Sequence, residues 1–268
     1  MDRRIESLDD PRIEPYRNLK DRELAREGGR FIAEGTLLVR RLLASDYAVE
    51  SVLATERQAA HLAPLVPRGV PLYVASEEFL GRIVGYGFHM GALACGLRRP
   101  ALTVDEVAGA WPADARVTLL VLPETTGPLN LGSLLRVAAA FGVAAVVLGE
   151  HSCDPFYRQS VRVSMGAVFR LNLVRSRDLA ADLARLRDRW GVELAAAVLD
   201  EAAEPLHRAR RPRRLAILFG NEAKGLAPEH LALAARRITI PMRLGTDSLN
   251  VAMAAAVFLH HFTCVAHE

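Results

Sequence analysis

From Val117 to the carboxyl end, short apolar runs alternate with stretches of helical periodicity, and no other feature limits the fold as much. VTLLVLP (117–123), AAVVLG (144–149), a run near 169–174, residues 193–198, the start of RRLAILFGNEAKGL (213–226) and residues 238–240 read as strands. Helical patterns lie between them at 128–142, around 156–163, at 178–190 and at 228–235. In PLNLGSLLRVAAAFG (128–142), Leu131, Leu134, Leu135, Ala138 and Phe141 share one face and Gly142 ends the helix. Strand and helix in regular alternation predict an α/β protein built on a parallel sheet. A second, smaller α/β unit is expected upstream, with a helix at 31–45, strands at 49–55 and 70–76, helices at 56–65 and 77–83, and a glycine-rich loop leading into a strand at 85–97. Residues 98–116 hold turn-prone breaks and little periodicity, so they read as a linker. The expected organisation is a domain at 1–98, a linker at 99–116 and a domain at 117–268.

A chain of 268 residues, 51% hydrophobic and 24% charged, can bury a full globular core. No apolar run approaches the roughly 18–20 residues of a membrane span, and MDRRIESLDD lacks the apolar stretch of a secretory signal. Cys95, Cys153 and Cys264 are far apart and show no ligand spacing, which predicts a reducing compartment, the cytoplasm, with neither a disulfide framework nor a metal site. The net charge of +3 and pI near 9.0 suit a nucleic-acid partner without requiring one. Arginines cluster at Arg22, Arg26, Arg30, Arg40 and Arg41, and again at Arg208, Arg210, Arg211, Arg213 and Arg214. Such clusters are either phosphate-binding surfaces or solvated faces.

Three loops follow strands in the second half, at 123–130, 220–226 and 241–247. In open parallel sheets, ligands bind beyond the carboxyl ends of the strands, so all three loops can line one crevice. Their polar residues are Asn130 and Arg136, Asn221 and Glu222, and Ser248 and Asn250. Ser248 is the expected N-cap of the last helix, with Leu249, Ala252, Met253, Ala256, Val257 and Leu259 on its buried side. Asn250 falls in the first turn, where the helix dipole attracts polar ligand groups. Two bland readings stand beside these: Arg136 can snorkel from a core edge, and Glu222 can pair with Lys224 on the surface. The glycines at 85–91 precede a strand and have the wrong spacing for a dinucleotide fingerprint, and those at 220–225 do not form a Walker loop.

Taken together, NLGSLLRVAAAFG, ILFGNEAKGL and IPMRLGTDSLNVAMAAAVFLH resemble the three ordered motifs of the SpoU, or TrmH-type, RNA ribose 2′-O-methyltransferases of the SPOUT class. The intervening YRQSVRVSMGAVFRL resembles the family's Arg-x-Ser-x-Gly segment, and FIAEGTLLVRRLL with HMGALACGL resembles the amino-terminal domain of rRNA-directed members. The resemblance implies a parallel-sheet SPOUT domain whose carboxyl-terminal part makes a trefoil knot, preceded by a small α/β RNA-binding domain. It implies S-adenosylmethionine held by Leu218, Phe219, Gly220, Asn221, Ile240, Met242, Leu244 and Leu249, chiefly through backbone and apolar surface. It matches Asn130, Arg136, Glu222, Ser248 and Asn250 to polar active-site positions. In that scheme Arg136 stabilises the reacting 2′-oxygen, Asn130 and Ser248 orient the ribose, and Glu222 fixes Arg136 or the loop. It also implies a homodimer without metal. By the same resemblance the expected substrate is RNA, rRNA in preference to tRNA, contacted by Arg22, Arg30, Arg40, Arg41 and Arg162. A tRNA enzyme and a catalytically silent RNA-binding factor are the alternatives. The chain departs from the family pattern at Gly127 for Asp, Asp247 for Glu, Ala252 for Ser and Met90 for Gln.

Overall fold

The computed structural model describes residues 4–17, 29–84, 90–244 and 247–265. They form two compact units, Met1–Pro100 with Pro155–Arg170, and Ala101–Asp154 with Leu171–Glu268.

Unit 1 carries a four-stranded sheet of β1 (Arg30–Glu34), β2 (Val49–Ala54), β3 (Leu72–Val74) and β4 (Ala92–Leu97), in the order β1-β4-β2-β3. β4 runs antiparallel to β1 and β2, and β2 is parallel to β3. The helix expected at 31–45 is in fact a strand followed by a shorter helix, Thr36–Leu43. Phe31, Ile32 and Ala33 are all buried, and pairing with β4 outweighs the local helical tendency. Gly35 makes the break, at φ 103, where a side chain would be strained and would press on Met90.

Pro155–Arg170 was expected in the second domain but belongs to unit 1. Its Phe156 and Phe169 rings lie 4.9 and 5.7 Å from Phe31 and 5.7 and 6.0 Å from Tyr47. The Arg98 guanidinium covers Phe156 and that of Arg99 covers Tyr47. This aromatic cluster is the physical reason that the segment packs away from its sequence neighbours.

Unit 2 holds a seven-stranded sheet in the order β7-β6-β5-β10-β8-β11-β9. Its strands are β5 (Val117–Leu122), β6 (Ala145–Leu148), β7 (Leu173–Arg175), β8 (Glu193–Ala197), β9 (Glu204–Pro205), β10 (Arg214–Phe219) and β11 (Arg236–Thr239). Every neighbouring pair is parallel. The run near 169–174 yields only β7, because Ala167–Phe169 is a single 3-10 turn whose Phe169 is held in unit 1.

The proposed linker is also corrected. A capping box between Thr103 and Glu106 opens a helix, Val104–Gly109. Val104 and Val107 are buried in the unit 2 core with Leu119, Val121 and Leu183.

The last helix starts at Val251 with Asn250 as its cap, not at Ser248. Ser248 lies in the irregular segment before it. Ala252, Ala255, Phe258 and Leu259 are buried, with Phe258 edge-on to Phe219 at 5.3 Å. Leu249, Met253 and Val257, expected inside, are 36%, 63% and 43% exposed. The helix is apolar nearly all round, so periodicity alone could not select the packed face.

Phe156→Ala should open the aromatic cluster and lower stability by about 3–5 kcal/mol. Urea denaturation checks this, and an unchanged midpoint would refute the cluster's role.

Candidate active site

β5 and β10 are neighbours in register, with Leu218 opposite Val121. Their carboxyl ends therefore release two loops side by side at a point where the strand order reverses, the usual position of a ligand crevice in such sheets. The first loop is pinned from below. Ser152, 3% exposed, donates its hydroxyl to the Leu122 carbonyl at 2.8 Å and accepts the Thr125 N–H at 3.0 Å. Pro128 then opens the helix Pro128–Ala140, where its missing N–H costs nothing.

The second loop closes on itself. Asn221 and Gly225 exchange two backbone hydrogen bonds of 3.0 and 2.8 Å. A Cβ on Gly220 would fall 2.2 Å from the Gly225 carbonyl carbon, so only glycine fits. The Asn221 side chain is consumed in this turn. Its oxygen accepts from the Ala223 and Lys224 N–H groups at 2.9 and 3.2 Å, and its amide donates to the Glu124 carbonyl at 3.4 Å. Asn221 therefore shapes the loop through its side chain and its backbone alike.

Glu222 is thereby turned toward the first loop, where its carboxylate accepts a hydrogen bond from the Asn130 amide at 2.6 Å. The Asn130 oxygen accepts from the Asn250 amide at 3.0 Å, and the Asn250 oxygen accepts from the Ala252 N–H at 2.9 Å. A carboxylate only accepts, so the direction of each amide in this chain is determined by Glu222 at one end and the helix N–H at the other. Each of the two amides keeps one further N–H to give.

Arg136 is exposed on the Asn130 helix, and among the described residues no hydrogen bond or ion pair engages it. Glu222 therefore does not hold Arg136; it holds Asn130. Nor does Glu222 pair with Lys224, whose ammonium lies 3.6 Å from Glu124. Ser248 is exposed, with no recorded partner among the described residues.

Of the apolar positions, Leu218 and Phe219 point into the core, so they offer backbone alone. Ile240 and Met242 are half-buried, Leu244 is fully exposed at φ 57, and Leu249 is exposed. Burial, aided by the Asp154 charge and to a smaller degree by Glu222, pushes the Cys153 thiol up to about 11. It stays protonated near neutrality and is no nucleophile.

Glu124 and Ser152 were not found by sequence reasoning, since neither carries a motif and their roles depend on tertiary contacts alone.

The basic residues divide clearly. Arg22 and Arg26 lie outside the described residues. Arg30 is bound by Glu50 through two bonds of 2.7 and 3.0 Å. Arg40, Arg41 and Arg162 are exposed. Arg211 is buried against Thr118, and Arg214 is tied to the Trp190, Pro112 and Ala113 carbonyls. Arg208, Arg210 and Arg213 remain exposed. Among the described residues, no three His, Cys, Asp or Glu side chains gather as metal ligands, and no helix is long and apolar enough to cross a membrane.

Residues 118–260 match the sequence model of the SpoU rRNA Methylase family. The chain is 38% identical over 271 residues to a Mycobacterium tuberculosis protein described as an uncharacterized tRNA/rRNA methyltransferase, covering 97% of this chain and 91% of that one. It is 26% identical over 260 residues to the 23S rRNA (guanosine(2553)-2'-O)-methyltransferase RlmP of Bacillus subtilis, covering 97% and 98%. The crystal structure of an AdoMet-bound rRNA methyltransferase from Sinorhizobium meliloti superposes with a TM-score of 0.83 at 25% identity, covering 96% and 95%.

Gly220→Ala should force the second loop open and destabilise unit 2 by about 3 kcal/mol. A stability within error of the parent, measured by urea denaturation, would contradict the close approach.

Proposed function

The chain belongs to the SpoU rRNA methylase family, and on that premise we propose that it transfers a methyl group from S-adenosylmethionine to a ribose 2′-hydroxyl of ribosomal RNA in the cytoplasm. The observation that carries this reading is the hydrogen-bonded chain Glu222–Asn130–Asn250, which joins the three motif loops.

The residues around that chain suit the cofactor. Ile240, Met242, Leu244 and Leu249 offer apolar surface for a flat ring, and the backbone at Gly220, just past the end of β10, offers polar groups for its edge. S-adenosylmethionine, when bound, supplies a methyl group already activated on a sulfonium. What remains for the protein is to position the ribose and to favour the ionised form of its hydroxyl. The spare N–H groups of Asn130 and Asn250, with the Ser248 hydroxyl, orient the ribose oxygens. Arg136 is permanently charged, so its role is to stabilise negative charge on the attacking oxygen and the neighbouring phosphate. Glu222 keeps the Asn130 amide facing the right way.

The carboxyl-terminal segment is taken to pass through a loop of the sheet as a trefoil knot, with β11 seated between β8 and β9 inside the sheet. The exposed stripe of Leu249, Met253 and Val257, with Leu129 at 53%, is assigned to contact with a second copy of the chain. Substrate choice rests on the separate α/β unit and on the full-length similarity to an rRNA enzyme.

Arg136→Ala should lower methyl transfer to RNA about 10²–10³-fold while calorimetric affinity for S-adenosylmethionine stays within about threefold. A fully active variant would sink the assigned role. Met253→Glu should shift the protein to a monomer in sedimentation experiments, and a persistent dimer would place the interface elsewhere.

A further inference from the structure

Beneath the first site loop of unit 2, two stretches of chain are laced together. The turn Gly149–Cys153 follows β6, and residues 122–125 close β5 and open the loop after it. The Gly149 N–H and the Ser152 hydroxyl both donate to the Leu122 carbonyl, at 2.9 and 2.8 Å. Both backbone groups of Thr125 are taken up as well. Its N–H donates to the Ser152 hydroxyl at 3.0 Å, and its carbonyl accepts the Cys153 N–H at 2.8 Å. A Cβ on Gly149 would fall 2.3 Å from the Pro123 carbonyl oxygen, so the two backbones are in direct contact. Thr125 and Ser152 are both buried, which leaves water little access to replace the hydroxyl.

The turn is itself fixed. Arg175, at the end of β7, donates from Nη1 to the Cys153 carbonyl at 3.1 Å and from Nη2 to the Glu150 carbonyl at 3.2 Å. The Glu150 carboxylate accepts the Leu179 N–H at 2.7 Å, which ties the turn to the helix Leu179–Asp188.

Glu124 stands on this base, between Pro123 and Thr125, and the second site loop leans on it at two points. Its carbonyl accepts the Asn221 amide at 3.4 Å, and its carboxylate lies 3.6 Å from the Lys224 ammonium. Asn221 and Lys224 bracket Glu222 in sequence, and Glu222 holds Asn130. Both Glu124 contacts are long, so they align the second loop only while the Glu124 backbone stays in place.

We propose that Ser152 is a positioning residue for methyl transfer. Its hydroxyl fixes the backbone on which the Glu222–Asn130–Asn250 chain is aligned, and Arg175 holds the turn that carries it. The proposal rests on the methyltransferase reading and deepens it with a residue that acts only through others.

Ser152→Ala leaves the Thr125 N–H without its acceptor. In the full-length protein, exchange of the Thr125 amide hydrogen should become about tenfold faster. The Asn130 side-chain amide resonance, identified by its loss in Asn130→Asp, should move toward its position in Glu222→Ala, where the bond is absent. With S-adenosylmethionine and unmodified rRNA, kcat should fall about tenfold while KM for RNA stays within about twofold. Val107→Ala, a core truncation elsewhere in unit 2, is the control for lost stability. At a temperature where both variants are folded it should leave the Asn130 resonance and kcat unmoved. An Asn130 resonance unmoved in Ser152→Ala, one displaced as far by Val107→Ala, or a Ser152→Ala kcat equal to the parent's would overturn the proposal. Should Ser152→Ala fail to accumulate folded, Arg175→Ala, whose side chain lies at the surface, decides by the same readings. Exchange and resonance need no turnover, so an absence of methyl transfer by the parent protein would count against the enzyme reading alone.

Discussion

Asn130 gives a hydrogen to the Glu222 carboxylate at 2.6 Å and takes one from the Asn250 amide at 3.0 Å. These two bonds span 92 and 120 residues of chain, and through them three loops share one geometry. A flipped Asn130 amide would face a carboxylate with its oxygen and another amide's N–H with its own, losing both bonds. The arrangement in turn depends on the sheet. β5 and β10 pair in parallel register, so both chains leave the same edge of the sheet together. Gly220 then lets the second loop fold tightly enough to aim Glu222 at its neighbour.

The second dependence is less visible. Part of the family-matched region, Pro155–Arg170, is built into unit 1 through Phe156 and Phe169. The unit assigned to RNA recognition is therefore made from two separate lengths of chain. Residues 1–98 alone would leave Phe31 and Tyr47 without Phe156 and Phe169, and Glu34 without Arg158 and Arg162. The two units are encoded in interleaved stretches, so neither is a simple cut of the sequence.

Much of the fold was legible because runs such as VTLLVLP and RLAILF are apolar at nearly every position, which suits strands buried on both faces. The three site loops were legible because each directly follows such a strand. Three things were not. FIAE was read as helix because a five-residue strand and a following helix blur into one apolar pattern, with only Gly35 between them. The last helix, VAMAAAVFLH, is apolar on every side, so its packed face depended on where Phe219 and the Pro128–Ala140 helix lay. The partner of Glu222 was not legible either. Lys224 is near in sequence and Arg136 has the opposite charge, yet an uncharged amide 92 residues away holds the carboxylate. Charge patterning looks for opposite charges and so overlooked this bond.

The central claim is that these joined loops deliver a methyl group to a ribose oxygen. Its most direct test is to incubate the full-length protein with isotope-labelled S-adenosylmethionine and unmodified ribosomal RNA, digest the RNA to nucleosides and identify the labelled product by mass spectrometry. The account predicts label in a single 2′-O-methylnucleoside, with the added mass on the ribose fragment. Label on a base fragment, or none in any RNA tested, would contradict it.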